Sequence, residues 1–396
     1  MKILVANIGS TSLKYRLYSM NEDGAELLCS GGYERVEDYA STIESCLQAL
    51  QESGHLKNLE ELSAVGFKTV LGKDLSGCVF ADDAVIAALE GFKEVAPAHN
   101  IPYANGIKQF RSALPNTPLV ALFETAFYQF APEASRSYAI PEEWQAIGIR
   151  RYGFHGASHK FIAERSAQLL GREDVSKVAQ SLYQKGPQPP EGADLRVISC
   201  HLGGSSSVTG IRNGVAIGTS MGFSPQSGLP QNNRVGDLDS AAIPYAMKKL
   251  GLSLEEVEKQ LTKQSGLLGV SGVSNDVRDI GQAAKQGNKR AQLALDVLAH
   301  SIRHWIGAFY LELGGCDALV FTAGIGENDT ALREAVCSNL DGLGFELDLE
   351  ANASLRGKEG DIASKGSKTR VLVIPANEEL VVARECYRLL QSGAKD

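Results

Sequence analysis

The sequence predicts an α/β fold assembled from two related halves. Three observations carry this expectation. A β-like run, LVAN, meets a small polar turn, Gly9-Ser10-Thr11-Ser12, and continues into a second β-like run, LKYRLY. The same arrangement returns in residues 196–213, RVISCHLGGSSSVTGIRN, which suggests a duplicated architecture. In the second half, strand, tight turn and helix alternate, a pattern that places ligands at the C-terminal ends of strands.

Taken in order, LVAN and LKYRLY are the first two strands, and VALF within TPLVALFETAF is another. GASHKFIAERSAQLLG reads as a helix that starts after Gly156. Residues 184–193, QKGPQPPEGA, are rich in Pro and Gly and read as an exposed loop. A border between the halves is expected earlier, near residues 141–151. In residues 287–313, Leu295, Leu298, Ile302, Trp305 and Phe309 fall on one stripe at helical spacing. ALVFTA reads as a strand, Gly324-Ile325-Gly326 as a turn and TALREAVCSNL as a helix. TRVLVIPA is a strand that runs into Asn377-Glu378-Glu379 and a last helix, LVVARECYRLL.

The totals bound the function. At 396 residues the chain is long enough for two or more domains. With 43% hydrophobic and 22% charged residues it has the composition of a soluble globular protein. A net charge of -8 disfavours non-specific binding to nucleic acid or an anionic membrane, yet permits a local basic pocket. Seven scattered cysteines without a CxxC argue against a disulfide framework or zinc ribbon. MKILVANIGS reads as a strand rather than a leader, and no apolar run is long enough to span a bilayer. The expectation is a cytoplasmic protein with reduced thiols and neither a nucleic-acid nor a membrane partner.

Several clusters are candidates for chemistry. The Gly9–Ser12 turn offers N–H groups and hydroxyls to a phosphate, with Lys14 for charge and Asn7 at the strand end; a plain solvated turn is the alternative. The second turn, Gly203-Gly204-Ser205, favours phosphate. FTAGIGEND seats a phosphate on a helix N-terminus, or is a strand–helix turn needing glycine for positive φ; it is neither a full dinucleotide fingerprint nor a Walker A motif. His155 and His159 have the spacing of a helical metal pair. No HExxH glutamate accompanies them and Gly156 opposes helix there, so one histidine in a catalytic turn and one at a helix start is the preferred reading. Arg234, in RVGDLD, suits a bidentate clamp on carboxylate or phosphoryl, or a buttressing ion pair. Glu378 and Glu379 suit a helix start or, through water, a Mg²⁺ ion.

Together these pieces resemble one family, the acetate and propionate kinases of the actin, hexokinase and Hsp70-like superfamily. The resemblance spans nearly the whole chain. It rests on NIGSTSLKYRLY, APAHNIPY, FETAF, RRYGFHGASHK, CHLGGSSSVTGIRNG, TSMGFSPQSGL, NRVGDLD, SGLLGVSG, FTAGIGEN and PANEEL, in that order. It implies a two-domain actin-like ATPase (ribonuclease H-like) fold with a duplicated βββαβαβα core. Residues 1–147 with 383–396 would form one domain and residues 148–382 the nucleotide-binding one. It also implies a homodimer that moves a phosphoryl group between ATP and a short-chain carboxylate, giving ADP and an acyl phosphate, with Mg²⁺ or Mn²⁺.

Carried over by motif, Asn7 and Glu378 are implied as metal-side residues, and Ser10, Ser12 and Lys14 as a phosphate turn. Arg234 holds carboxylate and phosphoryl, His155 stabilises the transition state, and His99 and His201 are further active-site histidines. His201, Gly203, Gly204 and Ser205 face the nucleotide. Its base and ribose lie against Asp276, Val277, Arg278, Gly324, Ile325, Gly326, Glu327 and Asn328. Val70, Ala98, Phe154 and Pro225 line the acid's pocket.

The chain departs from the family at named positions. HRVVHGG is replaced by FKTVLGK, which puts Lys68 in place of an active-site arginine. FDTAFH is FETAFY, so Glu124 replaces an aspartate that orients the metal or its water. HLGNG is HLGGS, GLMMGTR is GLPQNNR, and Ala98 replaces a leucine, which would enlarge the acyl pocket. Lysine keeps charge but loses the planar fork. Lys68 and Glu124 are therefore expected to be a re-matched pair acting on substrate and catalysis. The alternatives are a kinase of a different carboxylate, or a nucleotide-binding relative with weak catalysis. The retained FTAGIGEN favours a nucleotide donor over pyrophosphate.

Overall fold

The computed structural model describes residues 1–22, 24–95 and 97–393, with the side chains of Pro97 and Ala98 left aside. Residues 394–396, the end of the expected returning segment, lie outside it, as does the side chain of Ala98. Two six-stranded sheets organise the chain. The first contains β1 (Lys2–Ile8), β2 (Ser12–Met20), β3 (Ala25–Glu34), β4 (Leu62–Thr69), β5 (Cys78–Phe80) and β6 (Leu119–Phe123), in the order β3-β2-β1-β4-β6-β5. The second contains β7 (Arg196–Leu202), β8 (Ser206–Arg212), β9 (Val215–Thr219), β10 (Ala318–Thr322), β11 (Gly360–Asp361) and β12 (Arg370–Val373), in the order β9-β8-β7-β10-β12-β11.

The two sheets have the same topology. Three strands form an antiparallel meander, two more lie parallel to the first of these, and a short antiparallel strand closes the edge. The duplication expected from two similar turns is thus a duplication of whole sheets. The helices follow suit: Tyr39–Glu52, Pro97–Ala113 and Gly156–Leu169 in the first half, Lys289–Leu313, Thr330–Cys337 and Glu378–Gln391 in the second. In Lys289–Leu313, Leu298, Ile302 and Phe309 of the expected stripe are buried, with Leu295 and Trp305 at its margin.

The β1–β2 hairpin turns without a left-handed residue. Its Gly9 N–H donates to the Ser12 carbonyl at 2.8 Å, and the Tyr39 hydroxyl donates to the Gly9 carbonyl at 2.6 Å. The β8–β9 hairpin instead uses Asn213 and Gly214, both at positive φ. At 323–328 the structure corrects the expected turn. Gly324-Ile325-Gly326 lies inside a short helix, Ala323–Asn328, that follows β10 with no loop. The left-handed residue that makes this junction is Ala323 at φ 64°, not a glycine. One αL residue between strand and helix is enough to turn the chain, so neither glycine is needed for its φ.

Two helices cross between the sheets, Gly156–Leu169 packing on the second sheet and Glu378–Gln391 on the first. Ile162, Ala163 and Ala167 of the Gly156 helix join a core with Val197, Ile211, Ala318, Val320 and Leu372 of the second sheet. Val381, Val382, Cys386 and Leu389 of the Glu378 helix join the core of the first sheet. Where the two helices meet, Lys160 is fully buried. Its ammonium lies 2.6 Å from Glu164 and 2.8 Å from Glu385, and donates to the Ala179 carbonyl at 2.7 Å. Arg388 and Arg384 reach Glu164 at 3.0 Å and 3.3 Å, and Arg388 also pairs with Glu385. Burial alone would raise the Glu164 carboxyl, but Lys160 and Arg388 hold it at about 2. Among the described residues, no helix is long and apolar enough to cross a membrane.

This node has a measurable pH signature. A glutamate that titrates near 4.3 unfolded and about 2 folded stabilises the fold fully above pH ~4.3, and loses that contribution as pH falls through its folded value. Glu164→Gln should flatten the rise of unfolding free energy between pH 2 and 4. Lys160→Met, which leaves two buried carboxylates to Arg388 and Arg384 alone, should cost up to about 3–5 kcal/mol in urea unfolding at pH 7. A loss below about 1 kcal/mol in both variants would remove the node from the list of stabilising contacts.

Candidate active site

The crossing brings two helix N-termini to one cleft. His155 caps the Gly156 helix in the left-handed region, at φ 59° and ψ 27°. A non-glycine residue there carries strain that its surroundings must hold. Gly156 makes the approach possible: its N–H donates to the Glu124 carbonyl at 3.0 Å, and a Cβ would sit 2.2 Å from that oxygen. Across the cleft, Glu378 opens the other helix, whose cap Asn377 accepts from the Leu380 N–H.

A cavity of about 360 Å³ lies between them. It brings together Lys68, His155, His201, Gly203, Gly204, Ser205, Gly324, Glu327 and Glu378, all expected at the site, and adds Ala323, Ala376 and Glu379. Lys68 stands at the end of β4. Its ammonium pairs with Glu378 and lies 3.2 Å from Glu124. Burial disfavours the charge on Lys68, but the two carboxylates outweigh it and raise the lysine well above its ordinary value. Burial raises the Glu124 carboxyl, which Lys68 only partly offsets. Burial acts the same way on Glu378, yet the closer Lys68 charge wins and the group is lowered.

The histidines form a second cluster. The rings of His155 and His201 stack, with centroids 4.1 Å apart. His155 Nδ1 lies 2.8 Å from Ser207 Oγ, which is also 2.8 Å from His159 Nε2; His159 Nδ1 lies 2.8 Å from Ser199 Oγ. His201 Nδ1 lies 2.8 Å from Ser158 Oγ. Desolvation, then the His201 and His159 charges, push His155 well below its ordinary value. Desolvation likewise lowers His159 and takes His201 to about 4. All three rings are neutral at pH 7. Desolvation, then Arg234 and Lys68, also lowers His99.

Arg234 is half-buried and donates to the Pro225 carbonyl and Gln231 Oε1, both at 3.3 Å. Among the described residues no carboxylate pairs with it, and Asp237 accepts from the Gly228 N–H instead. The buttressing ion pair considered from RVGDLD is therefore not made. Val70 and Phe154 meet in one apolar cluster with Leu71, Tyr152 and Met221, bordered by Phe223. The GFSPQSG segment supplies Phe223 and Pro225, but only the fold shows the phenylalanine beside Val70.

Other expected residues sit apart from this cavity. Asn7 and Lys14, cross-strand neighbours, line an adjoining groove of about 320 Å³ with Arg16 and with Glu379, which borders both. Lys14 lies 3.2 Å from Glu34 at the surface. Asn7 Oδ1 accepts from the Tyr103 hydroxyl at 3.1 Å. Ser10 and Ser12 stay at the hairpin tip and do not line the cavity. Asp276 caps the helix Val277–Lys285 and pairs with exposed Arg278, while Val277 is buried. Ile325, Gly326 and Asn328 are on the Ala323 helix. There the buried Arg333 binds the Gly326 and Glu327 carbonyls, and Asn328 Nδ2 donates to Gly324.

The oxygen donors suit a hard cation. Glu124 Oε2 is buried without a hydrogen-bond partner and Glu378 faces the cavity, although Lys68 already balances part of their charge. Among the described residues, no three His, Cys, Asp or Glu form a ligand cluster. The Lys68–Glu124 contact should behave as a matched pair: Lys68→Arg and Glu124→Asp, singly and together, should show a coupling of about 0.5–3 kcal/mol in unfolding free energy. Strictly additive losses would mean the two were not adjusted to each other.

Comparison with known proteins bears on this geometry. Residues 31–384 match the model of the acetokinase family. An acetate kinase of Treponema denticola is 42% identical over 99% of this chain and 100% of its own length. One of Shouchella clausii is 40% identical over 98% and 99%. The crystal structure of Porphyromonas gingivalis acetate kinase superposes with a TM-score of 0.87 at 34% identity, covering 98% of this chain and 99% of that one. A propionate kinase from Francisella tularensis gives 0.81 at 33% identity, covering 97% and 98%.

Proposed function

The chain belongs to the acetokinase family, with its two-domain actin-like fold, and on that premise we propose how its cleft moves a phosphoryl group between ATP and a short-chain carboxylate. The enzyme is an ATP-dependent phosphotransferase with a carboxyl acceptor. The observation that carries the assignment of roles is the single cavity joining Lys68, His155, His201 and Glu378 to the Gly203 turn.

In the direction of acyl phosphate, a carboxylate oxygen forms a bond to the γ-phosphorus. The bond to the β–γ bridging oxygen breaks, and its electron pair leaves with ADP. No proton is gained or lost, so the site needs positioning and charge neutralisation rather than a general base. The residues suit that demand. Arg234, a cation without a carboxylate partner among the described residues, orients the acid and the transferring group. Neutral His155 donates to a developing oxyanion, with His201 and His99 beside it. Lys68, held by Glu378 and Glu124, adds fixed positive charge.

Gly203, Gly204 and Ser205 with residues 324–328 are proposed to seat the nucleotide phosphates, and 276–278 its base and ribose. The division into residues 1–147 with 383–396 and residues 148–382 is proposed on the same grounds. Val70, Phe154 and Pro225 would bound the acyl tail with Met221, and Ala98 would set its length. Mg²⁺, or Mn²⁺, is the proposed cofactor, held by Glu378 and Glu124 with Asn7 nearby. When bound it would neutralise phosphate charge.

Acyl hydroxamate formation from acetate, propionate, butyrate and hydroxy acids, with ATP, GTP or pyrophosphate, tests this reading. ATP should support turnover and pyrophosphate should not. One methylene should change kcat/KM by about 10–200-fold at most, with acids longer than acetate accepted. Nucleotide binding without acyl phosphate from any acid would overturn it.

A homodimer is proposed as well. The helix Ala242–Leu250 has no buried residue and exposes Tyr245 and Leu250, and Leu254 is exposed just beyond it. Light scattering should give twice the chain mass, and Tyr245→Asp with Leu250→Asp should give the single-chain mass. A wild-type monomer at micromolar concentration would reject the proposal.

A further inference from the structure

The face of β7 and β8 that meets the Gly156 helix is apolar at Val197 and Ile211 but polar toward the helix N-terminus, although it is buried there too. On β7, Ser199 and His201 alternate with Cys200 and Leu202, which face the opposite core. On β8, Thr209 stands opposite Ser199 and Ser207 opposite His201. His155 and His159 of the helix region reach into this layer. The result is one continuous line: His155 Nδ1, Ser207 Oγ, His159 Nε2, His159 Nδ1, Ser199 Oγ, with each of the three contacts at 2.8 Å. Only the His155 end lines the cavity. Ser199, Ser207 and His159 are fully buried.

A serine hydroxyl has one proton to donate, and a neutral imidazole donates through one nitrogen and accepts through the other. Three proton orders keep all three contacts. In the first, Ser199 donates to His159 Nδ1, His159 Nε2–H donates to Ser207, and Ser207 donates to His155 Nδ1. Every buried proton then has an acceptor, and the His155 proton is on Nε2, toward the cavity. In the second, every bond is reversed, and the Ser199 hydroxyl proton has no acceptor among the described residues. In the third, both histidines donate to Ser207, and the Ser207 proton is stranded. A buried donor without a partner loses its full desolvation cost, so the first order prevails.

Resting on the kinase reading above, we infer that Ser199, His159 and Ser207 are positioning residues whose proton order holds His155 as the Nε2–H tautomer and so makes it a donor to the transferring group. The role differs from that of a general base. The relay carries no net proton during transfer; it decides which nitrogen of a neutral ring carries the one it has. His201, whose Nδ1 is bonded to the buried Ser158 hydroxyl, is oriented separately.

Nitrogen-15 NMR of the full chain labelled at histidine, without substrate, reads this directly. The His155 signals are identified by their loss in His155→Asn. The expected result is His155 at pH 7 with its proton on Nε2. Ser207→Ala should lower that population and reduce kcat about 10-fold with KM changed less than about 2-fold. That is smaller than the roughly 10²–10³-fold effect of deleting a donor, because the imidazole remains. Ser207→Thr, which keeps the hydroxyl, should restore both. A His155 proton on Nδ1 in the unmodified chain overturns the inference whatever the variants do. So does Ser207→Ala with tautomer and kcat unchanged. Because the tautomer is read without turnover, it decides the relay even if no acid is phosphorylated.

Discussion

The crossing of the Gly156 and Glu378 helices is the constraint on which the rest of the molecule depends. The Gly156 helix helps to close the core of the second sheet, and the Glu378 helix that of the first. Their meeting point is a buried ionic node, with Lys160 at its centre. Such a node adds little stability over an apolar core, but it tolerates few alternative arrangements, because any slip strands a charge. That intolerance sets the register of the two helices, and their N-termini carry His155 and Glu378 to opposite walls of the cavity.

The electrostatics of that cavity follow from burial. Three histidines share a buried layer at the cavity wall and are driven neutral, while Lys68 keeps its charge because two carboxylates surround it. The outcome is a site in which a buried cation is held by carboxylates beside neutral imidazoles, which suits a transfer that moves no proton. Lys68 is a point charge shared between two glutamates.

The legible parts of the sequence were those with local causes. Alternating runs marked most of the strands, the stripe in Lys289–Leu313 marked the longest helix, and the paired small turns marked the duplication. The motifs also named most of the cavity wall, including Lys68, His155, His201, Gly203 and Glu378. The misreading at 324–326 has a local cause too: two glycines suggest a turn, but a left-handed Ala323 had already made it. Ser207 and Ser199 are not legible as site residues, because serines next to a glycine turn read as turn chemistry. Their alternation with Cys200, Leu202 and Val208 was the available signal, and its meaning depends on what the strand pair faces.

By itself the sequence determined the class of fold, its repetition and the residue types available for phosphoryl chemistry, because periodicity and turn composition are properties of neighbours in the chain. Only the tertiary structure decided which of those residues share a cavity. It set Asn7 and Lys14 in an adjoining groove, left Arg234 without a carboxylate among the described residues, and joined Lys68 to a glutamate 310 positions away. It also turned the polar face of β7 and β8 inward, where each buried proton must find an acceptor. Those outcomes depend on how two helices cross between two sheets, and no local pattern encodes that crossing.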